Sequence, residues 1–411
     1  MLWIYNIGIV IYGLFVRLAS LFNAKAKLFV AGRKNGFEKI AQKINPTDRP
    51  IWYHFASLGE FEQGRPVLEK LKSAYPDVKV VVTFFSPSGY EIRKNYPLAD
   101  GIFYLPLDTA GNAKKFVALV NPRLAIFTKY EFWYHYFKTL HRQQIPIYLI
   151  SGIFRPNQLF FKSYGGFYRK MLGFVKHFFV QNEESVQLLK GIGLDKVSLS
   201  GDTRFDRVYE NALQPKQLPE IEAFCGQAPI LMAGSTWPAD EKLLVELANQ
   251  NPDWKFIIAP HEIGASHISE IELLFPNAVK FSVLGSQLAQ TSNLKSQILI
   301  IDNIGMLSSL YQYGQLAYIG GGFGAGIHNT LEAVAFGLPV IFGPKYDKFQ
   351  EAKDLIAIGI AQSISNENEL LNAFNELKSN AELPLKAKAY IENKKGATDM
   401  IVGHVKEEIK L

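Results

Sequence analysis

Two glutamates occupy positions at which a carboxylate could act as a general base. Glu60 ends the stretch Trp52-Tyr-His-Phe-Ala-Ser-Leu-Gly-Glu60, which reads as a short apolar strand followed at once by a helix start. A carboxylate at such a corner can remove the proton from a substrate hydroxyl. The spacing Ser57-Leu-Gly-Glu60 also fits a capping box, in which Glu60 would only accept a backbone N–H. The pattern alone favours the cap over the base.

The second carboxylate, Glu131, follows the apolar run 124–127 and stands among aromatic residues in Tyr130-Glu-Phe-Trp133. A surface glutamate on the next helix is an equal alternative. If the apolar runs that precede Glu60 and Glu131 are neighbouring parallel strands, the two glutamates come from adjacent strand ends and could share one site.

A glycine-rich segment follows another apolar run, at residues 316–319, and precedes a short helical pattern that starts near Asn329. Closely spaced glycines let backbone N–H groups approach a ligand, and a helix start favours an anion such as phosphate. A carboxylate in the first helical turn can accept both hydroxyls of a ribose. The plainer interpretation is that the glycines only turn the chain. The candidate ligand-binding residues here are Gly322, Gly324, Gly326, Asn329 and Glu332.

Two more strand-to-helix corners carry small or polar residues. The hydroxyls and amides of the first corner could hold a phosphate or a sugar carboxylate, or they could simply cap a helix. The second corner has the same form. The candidates are Gly234, Ser235 and Thr236 at the first corner, and Asp302, Gly305 and Met306 at the second.

Composition describes a globular protein of 411 residues, 48% hydrophobic and 20% charged, which is long enough for two domains. The single cysteine, Cys225, excludes an internal disulfide and a metal cluster built from cysteines. The sequence has neither a His-Glu-x-x-His motif nor the Asp-x-Asp with which many sugar-nucleotide enzymes hold a divalent metal. We therefore predict no metal and no cofactor.

The order of apolar runs predicts two doubly wound α/β domains that face a cleft. The runs are apolar throughout, which is typical of parallel strands covered on both faces. Seven such runs precede residue 200, and six lie between residues 230 and 342. Prolines 215, 219 and 229 mark a linker between the two series. The predicted segments are 1–22 (membrane-anchor helix), 23–210 (N-terminal domain), 211–229 (linker), 230–385 (C-terminal domain) and 386–411 (a helix that could cross back to the first domain).

The N-terminus is almost continuously apolar from Leu2 to Phe22, about the ~20 residues that a bilayer-spanning helix needs. It has no Ala-x-Ala cleavage site and no basic region before it, which favours an anchor over a removed signal peptide. The cations that follow favour a cytoplasmic location for the remaining chain. The alternative is a buried first helix of the N-terminal domain.

A stretch from residue 155 to residue 176 mixes cations with aromatic residues and contains no acid. Such mixing suits nucleic acid or an anionic membrane. Beside an apolar N-terminus it favours the membrane, so we predict no nucleic-acid partner. The cations expected to face the acceptor or the membrane are Arg155, Lys162, Arg169 and Lys170.

Taken together, these motifs resemble the 3-deoxy-D-manno-octulosonic acid (Kdo) transferases, membrane-associated glycosyltransferases of lipopolysaccharide synthesis with the two-domain GT-B fold. The resemblance runs in family order over nearly the whole chain, although each motif alone is weak. It rests on 52–60, 104–108, 130–133, 201–206, 233–236, 302–311, 328–332 and 343–344.

The resemblance implies an inverting, metal-independent transfer of Kdo from CMP-Kdo to a lipid A precursor at the cytoplasmic face of the inner membrane. It implies that Glu60 is the base, that Glu131 is a second essential acid, and that the C-terminal domain holds the donor. Alternatives are a GT-B enzyme that uses a UDP-sugar and a membrane-anchored sugar-binding protein without catalysis.

Three positions depart from the family pattern. Lys129 stands where many members have an acid, and Met306 stands where an acid is frequent. His261, in Pro260-His-Glu262, replaces a usual arginine. The contacts that bind the anionic donor are therefore expected to differ locally, with His261, Lys345 or an arginine of the N-terminal domain compensating.

Overall fold

The computed structural model describes residues 1–290 and 296–409 and divides the chain into two compact units. Unit 1 comprises Met1–Asp206 together with Lys395–Leu411, and unit 2 comprises Arg207–Lys394. Each unit contains one parallel seven-stranded sheet, so the predicted fold class of two doubly wound α/β sheets is confirmed.

The sheet of unit 1 has the strand order β3-β2-β1-β4-β5-β6-β7. Its central strands are buried along their whole length because helices cover both faces. In β1, Trp52 packs into the core on one face, and Tyr53 and Phe55 pack into the core on the other. The strands are β1 Ile51–Phe55, β2 Val80–Phe84, β3 Gly101–Tyr104, β4 Leu124–Thr128, β5 Ile147–Gly152, β6 His177–Val180 and β7 Val197–Leu199.

Ten helices accompany this sheet in chain order, and two short 3₁₀ turns lie at Pro46–Asp48 and Leu159–Phe161. The tenth helix continues past residue 206 into the start of unit 2. The helices are α1 Leu2–Ala19, α2 Ala24–Arg33, α3 Gly36–Lys43, α4 Leu58–Ala74, α5 Pro87–Arg93, α6 Ala110–Val120, α7 Tyr134–Arg142, α8 Gly166–Leu172, α9 Glu183–Lys190 and α10 Thr203–Leu213.

The sheet of unit 2 has the order β10-β11-β9-β8-β12-β13-β14, one strand more than the sequence predicted. The strand that the sequence did not predict, Ala361–Ser363, is short and contains a glutamine and a serine. The predicted strand 278–281 is also shorter than expected, because a helix begins at Phe281. The strands are β8 Ile230–Thr236, β9 Lys255–Pro260, β10 Val279–Lys280, β11 Ile298–Ile300, β12 Leu316–Ile319, β13 Val340–Phe342 and β14 Ala361–Ser363.

The helices of unit 2 begin inside the segment predicted as a linker. Pro219, which signalled a break, stands at the first position of α11, where a proline is tolerated because its missing N–H is not needed. A 3₁₀ turn follows α15 at Tyr311–Tyr313. The helices are α11 Pro219–Cys225, α12 Pro238–Gln250, α13 Ala265–Leu274, α14 Phe281–Gln290, α15 Leu307–Leu310, α16 Leu331–Ala335, α17 Gln350–Ala357, α18 Glu367–Lys378 and α19 Leu383–Lys394.

The segment 386–411 is not one helix. It contains the end of α19, a break at Gly396 with a φ of 114°, the helix α20 Ala397–Val405 and a 3₁₀ turn at Lys406–Glu408. Asp206 accepts the N–H groups of Gly396 and Thr398 at 2.5 and 2.7 Å and the Thr398 hydroxyl at 2.7 Å. Ile401 and Val405 of α20 pack into the same core as Leu68 of α4. The C-terminal residues therefore help to hold α4 in place.

Helix α1 is long and apolar enough to cross a membrane, with a mean hydropathy of 1.7 and 6% of its residues buried. It is therefore not a buried core helix. One side of α1 contacts the rest of unit 1, because the Tyr5 hydroxyl donates to Asp108 at 2.5 Å and Asn6 lies 2.7 Å from the His135 ring. Its remaining surface is apolar and exposed, including Trp3, with 66% of its area accessible.

Candidate functional site

Several of the predicted site residues lie at the two places where the strand order reverses. In unit 1 the strands that follow β1 and β4 lead away in opposite directions, and in unit 2 β8 and β12 flank the equivalent point. Loops at the carboxyl ends of such strands form the usual ligand-binding crevice of a doubly wound sheet. Glu60 follows β1, and Glu131 follows β4. In unit 2, Thr236 is the last residue of β8, and Gly320 follows β12.

Glu60 lies in the first turn of α4 and is half-buried. The hydroxyl of Ser57, the residue before the helix, donates to Glu60 Oε2. Within the described residues, the Ser57 side chain caps no backbone N–H of α4. The capping box is therefore not formed, and Glu60 Oε1 has no hydrogen-bond partner in the part of the chain that the structure describes.

Glu131 lies in the loop between β4 and α7, with 14% of its side chain exposed. Its Oε2 atom accepts the Trp133 indole N–H at 2.8 Å and lies 3.1 Å from His54 Nε2. No donor in the described part of the chain reaches its Oε1 atom. The second carboxylate is thus held firmly through one oxygen while the other stays open.

His54 extends this arrangement into the core of unit 1. It is fully buried on β1, and its Nδ1 atom lies 2.9 Å from the Thr83 hydroxyl, which also accepts the Trp52 indole N–H at 2.8 Å. The Trp133 indole N–H also lies 3.2 Å from His54 Nε2, so His54, Trp133 and Glu131 form one hydrogen-bonded group that orients the carboxylate. The sequence analysis quoted His54 in its motif but assigned it no role.

Two buried polar atoms near Glu60 have no hydrogen-bond partner among the described residues. They are Gln63 Oε1, one helical turn after Glu60 on α4, and Thr128 Oγ1 at the end of β4. An unpaired buried polar atom is costly, and such atoms concentrate near functional sites. No sequence signal marked either residue.

In unit 2, the corner after β8 is built on carboxylates whose oxygens are occupied. Asp240 on α12 accepts the N–H groups of Trp237 and Gly321 at 2.9 and 3.0 Å and the Tyr318 hydroxyl at 2.8 Å. Burial raises the pKa of this carboxyl above its ordinary value. Asp240 therefore ties the glycine-rich loop to α12.

The hydroxyl of Thr236, one of the predicted ligands, is also engaged. It donates to the buried carboxylate of Glu241 at 2.9 Å, and Glu241 in turn lies 2.9 Å from His267 Nε2. Ser235 adopts a left-handed φ of 53°, at an irregularity in the pairing of β8 with β9. The corner thus presents backbone rather than the Thr236 hydroxyl to a ligand.

The loop after β12 owes two of its glycines to close backbone packing. A Cβ on Gly320 would lie within 2.6 Å of Thr236 Cα, and one on Gly322 would lie 2.5 Å from Gly343 Cα. The amides of Gly324 and Gly326 donate to Gly321 O at 2.9 and 3.2 Å. Among the described residues, the amides of Gly322, Phe323 and Ala325 have no acceptor, so they are the candidate donors of the predicted phosphate loop.

The predicted helix start after this loop is short. Helix α16 begins at Leu331, two residues later than expected, and has five residues, so its dipole contributes little. Asn329 and Glu332 do come together, since the Asn329 amide donates to Glu332 Oε1 at 3.0 Å. Burial, and then Glu332, raise the pKa of Tyr311, whose hydroxyl lies against Gly234.

His261 belongs to a group of stacked rings that sequence reasoning missed. Its ring stacks on Trp237, with centroids 4.9 Å apart, and on His328, with centroids 4.3 Å apart. The Trp237 indole N–H donates to His328 Nε2 at 3.1 Å. Burial, and then the nearby His261, lower the pKa of His328 to about 4, so His328 is neutral and accepts this bond at pH 7.

The remaining predicted corner, after β11, is open to solvent. Gly305 is exposed with a φ of 97°, and Met306 precedes α15. Asp302 accepts the Ser282 N–H at 2.9 Å. Lys345, named as a possible replacement for the family arginine, donates to Gly324 O at 2.9 Å and so holds the glycine-rich loop.

The predicted acceptor- or membrane-facing cations differ in their surroundings. Arg155 and Lys170 are exposed, and Lys162 is half-buried. Arg169 donates to the carbonyls of Phe160, Lys162 and Ser163, so its guanidinium stabilises this loop. Within the part of the chain that the structure describes, no group of three or more His, Cys, Asp or Glu side chains could hold a metal ion.

The fold is GT-B-like. A UDP-GlcNAc 2-epimerase from Neisseria meningitidis, solved with UDP-GlcNAc, matches with a TM-score of 0.58 at 16% identity, covering 87% of this chain and all of that chain. A calicheamicin glycosyltransferase matches with a TM-score of 0.51 at 14% identity, covering 88% of this chain and 98% of that one. Likeness at this identity establishes the fold alone.

Sequence comparison narrows the class to one family. The family model described as 3-deoxy-D-manno-octulosonic-acid transferase (kdotransferase) matches residues 31–207. The 3-deoxy-D-manno-octulosonic acid transferase of Aquifex aeolicus is 26% identical over 339 residues, which cover 80% of this chain and 86% of the relative. The N-terminal half of the chain thus matches the Kdo transferase family model, and most of the chain is similar to a Kdo transferase, so the resemblance predicted from its motifs is confirmed.

Proposed function

We propose that the chain transfers Kdo from CMP-Kdo to a lipid A precursor, with inversion at the anomeric carbon and without a metal ion. The observation that carries the proposal is the placement of Glu60 in a chain similar to the Kdo transferases. Its half-buried carboxylate has one oxygen fixed by Ser57 and one open oxygen, at the β1–β4 switch point of unit 1.

In the proposed reaction, Glu60 accepts the proton of a primary hydroxyl on the acceptor sugar. The hydroxyl oxygen forms a bond to the anomeric carbon of Kdo as the bond from that carbon to the CMP phosphate oxygen breaks. CMP leaves with the bonding electrons. Attack opposite the leaving group inverts the configuration, and the transition state has oxocarbenium character.

Glu131 is proposed to act as a fixed negative charge rather than as the proton acceptor. Its Oε2 atom already accepts the Trp133 N–H and lies 3.1 Å from the His54 ring. A carboxylate held in this way needs no reorganisation when positive charge develops on the sugar, which is the condition for effective electrostatic stabilisation. Its open Oε1 atom can also accept a hydroxyl of the acceptor.

We assign the donor to unit 2. The open amides of Gly322, Phe323 and Ala325 are the candidate donors to its phosphate, and the carboxylate of Glu332 is the candidate acceptor for the ribose hydroxyls. The five-residue α16 is left out of the phosphate site. The proposed donor-binding residues are Gly234, Ser235, Thr236, His261, Asp302, Gly305, Met306, Gly322, Gly324, Gly326, Asn329 and Glu332.

A direct assay of donor choice tests the proposal. The purified full chain is incubated in detergent with a lipid A precursor and with either CMP-Kdo or UDP-GlcNAc, with and without EDTA. We expect product only with CMP-Kdo, no loss of rate in EDTA, and a product of inverted configuration by NMR. Turnover with the UDP-sugar alone would overturn the donor assignment, and the absence of any turnover would favour a non-catalytic binding protein.

We further propose that α1 attaches the protein to the cytoplasmic face of the inner membrane. The support is an apolar, exposed helix whose polar residues Tyr5 and Asn6 are used in contacts with unit 1. A helix docked in this way would lie along the membrane surface. Deletion of residues 1–22 should move the protein to the soluble fraction. Unchanged membrane association would assign anchoring to Arg155, Lys170 and their surroundings instead.

A further inference from the structure

A cavity of about 300 Å³ lies between α1, α2 and the segment that follows β3. This volume is at the lower end of the range of small-molecule sites. The apolar lining includes Val16, Phe29 and Leu107. The charged lining consists of Arg17, Arg33 and Lys34, and no acidic residue lines the cavity.

Of these three cations, Arg33 makes the most hydrogen bonds in the described structure. Its Nε, Nη1 and Nη2 atoms donate to the carbonyls of Leu105, Phe29 and Phe85 at 2.9, 3.1 and 2.7 Å. A guanidinium has five N–H donors, so two remain for a ligand. The charge lies 3.5 Å from the Phe29 ring centroid and 5.0 Å from that of Tyr104.

The cations of this cavity have no acidic partner among the residues that the structure describes. Across residues 1–290 and 296–409, no carboxylate lies within ion-pair distance of Arg17, Arg33 or Lys34. Burial lowers the pKa of Arg33 to about 10, and its side chain is still cationic at pH 7. Placing an unpaired charge among aromatic rings costs free energy, which a bound anion would offset.

The position of the cavity indicates where such an anion comes from. The lining residues of α1 belong to the helix whose other side exposes Phe15 and Leu18, with 68% and 65% of their areas accessible. A ligand that reaches this place from a lipid surface carries both a charge and a hydrocarbon chain. The cations suit the charge, and the apolar wall suits the first carbons of the chain.

We propose that this cavity binds the phosphate headgroup and adjoining acyl carbons of an anionic membrane phospholipid. Arg17, Lys34 and the spare donors of Arg33 contact the phosphate, and Val16, Phe29 and Leu107 contact the hydrocarbon. The ligand bridges α1 and α2 and fixes the anchor helix against unit 1. This site is separate from sugar transfer, and the choice of a lipid ligand rests on the proposed attachment of α1 to the membrane.

The test measures binding of dihexanoyl-phosphatidylglycerol, below its micelle concentration, to the full chain by isothermal titration calorimetry. Arg33 also holds three carbonyls, so the variant to use is Arg17→Gln with Lys34→Gln. The matched control is Lys25→Gln with Lys27→Gln, which removes the same charge from exposed positions of α2 outside the cavity. We expect saturable binding to the wild type, at least tenfold weaker binding to the cavity variant, and less than a twofold change in the control.

Equal losses in both charge variants would overturn the proposal, because attraction would then be general. Binding of dihexanoyl-phosphatidylcholine as tight as that of the glycerol lipid would overturn it too. Gly13→Leu, which adds bulk from α1 towards Leu107 without a change of charge, should also weaken binding tenfold. If a lipid A precursor displaces the phospholipid at tenfold lower concentration, the source is the acceptor and the phospholipid assignment fails.

Discussion

The corners after β1 and β8 have the same topology but use their carboxylates in opposite ways. Glu60 in unit 1 has a single described contact, with a hydroxyl, whereas Asp240 in unit 2 is fully buried and holds two backbone N–H groups and a tyrosine. A carboxylate whose oxygens are occupied serves the fold. One that keeps an open oxygen is available for chemistry, so the comparison separates a reactive corner from a structural one.

The largest effect should follow Glu60→Gln. An amide cannot accept the proton, so we expect kcat to fall at least 100-fold, roughly the contribution of a general base. The Ser57 contact survives in the variant, and the thermal midpoint should stay within 1 °C to 2 °C, or about 0.5 kcal/mol. The measurements are initial rates with CMP-Kdo and thermal unfolding.

The outcome that would reverse this assignment is a stability loss without a change in turnover per folded molecule. Glu60 would then act only as a helix cap. Binding of CMP to the variant is the control, since unit 2 is unaltered and its affinity should not change.

The matching substitution in unit 2, Asp240→Asn, should destabilise the fold by about 2 kcal/mol. The asparagine oxygen can accept the Trp237 and Gly321 amides, but its amino group then faces the Tyr318 hydroxyl, which loses its acceptor. Chemical denaturation measures the loss. A fully stable variant with impaired catalysis would place Asp240 in the reaction and remove the contrast with Glu60.

Glu131→Gln should have a smaller effect on rate, about tenfold in kcat/KM for the acceptor, or ~1.4 kcal/mol. The amide oxygen can still accept from Trp133, so folding is kept while the charge is lost. Steady-state kinetics at saturating donor give the value. A loss as large as that of Glu60→Gln, with a shifted pH profile, would make Glu131 the base.

The smallest effect concerns pH and His328. Its folded pKa of about 4 lies below the 6.5 of the unfolded chain, so its stabilising contribution is complete above pH 6.5 and is lost as pH falls towards 4. Because the ring is partly exposed, we expect a contribution of about 1 kcal/mol rather than the full shift. Burial, and then His404, lower the pKa of His177 in unit 1 to about 4 as well, so the pH dependence of the wild type contains both histidines.

The contribution of His328 is therefore read as a difference between wild type and His328→Phe, followed by denaturant unfolding at pH 7.0, 5.5 and 4.5. The wild type should lose more stability than the variant as pH falls. Parallel curves would mean that the Trp237 bond does not depend on a neutral His328.

The sequence was sufficient for the fold because continuous apolar runs identify buried parallel strands. It misplaced elements that lack this signal. Ala361-Gln-Ser363 forms an edge strand without an apolar run, and 211–229 contains α11 because Pro219 starts a helix rather than ending one. Proline and polar residues have several local meanings, and tertiary packing decides between them.

For the site, spacing located the corners but not the contacts that define their roles. The Ser57–Glu60 spacing could not distinguish a capped backbone from a side-chain pair. No role was assigned to His54, Trp237 or His328, because the partner of each lies far away in the sequence. His54 and Glu131 are 77 residues apart, and Trp237 and His328 are 91 residues apart. Such pairings arise only when separate strands meet.

The bonds from Asp206 to Gly396 and Thr398 also bear on how the protein is made. Helix α20 packs on α4, the helix that carries Glu60, yet the ribosome synthesises it only after the whole of unit 2. Unit 2 can fold as a continuous stretch during translation, whereas unit 1 stays incomplete until α20 has emerged. The proposed base thus reaches its final support after the proposed donor unit is already formed, and a stalled nascent chain would be expected to bind CMP before it can transfer sugar.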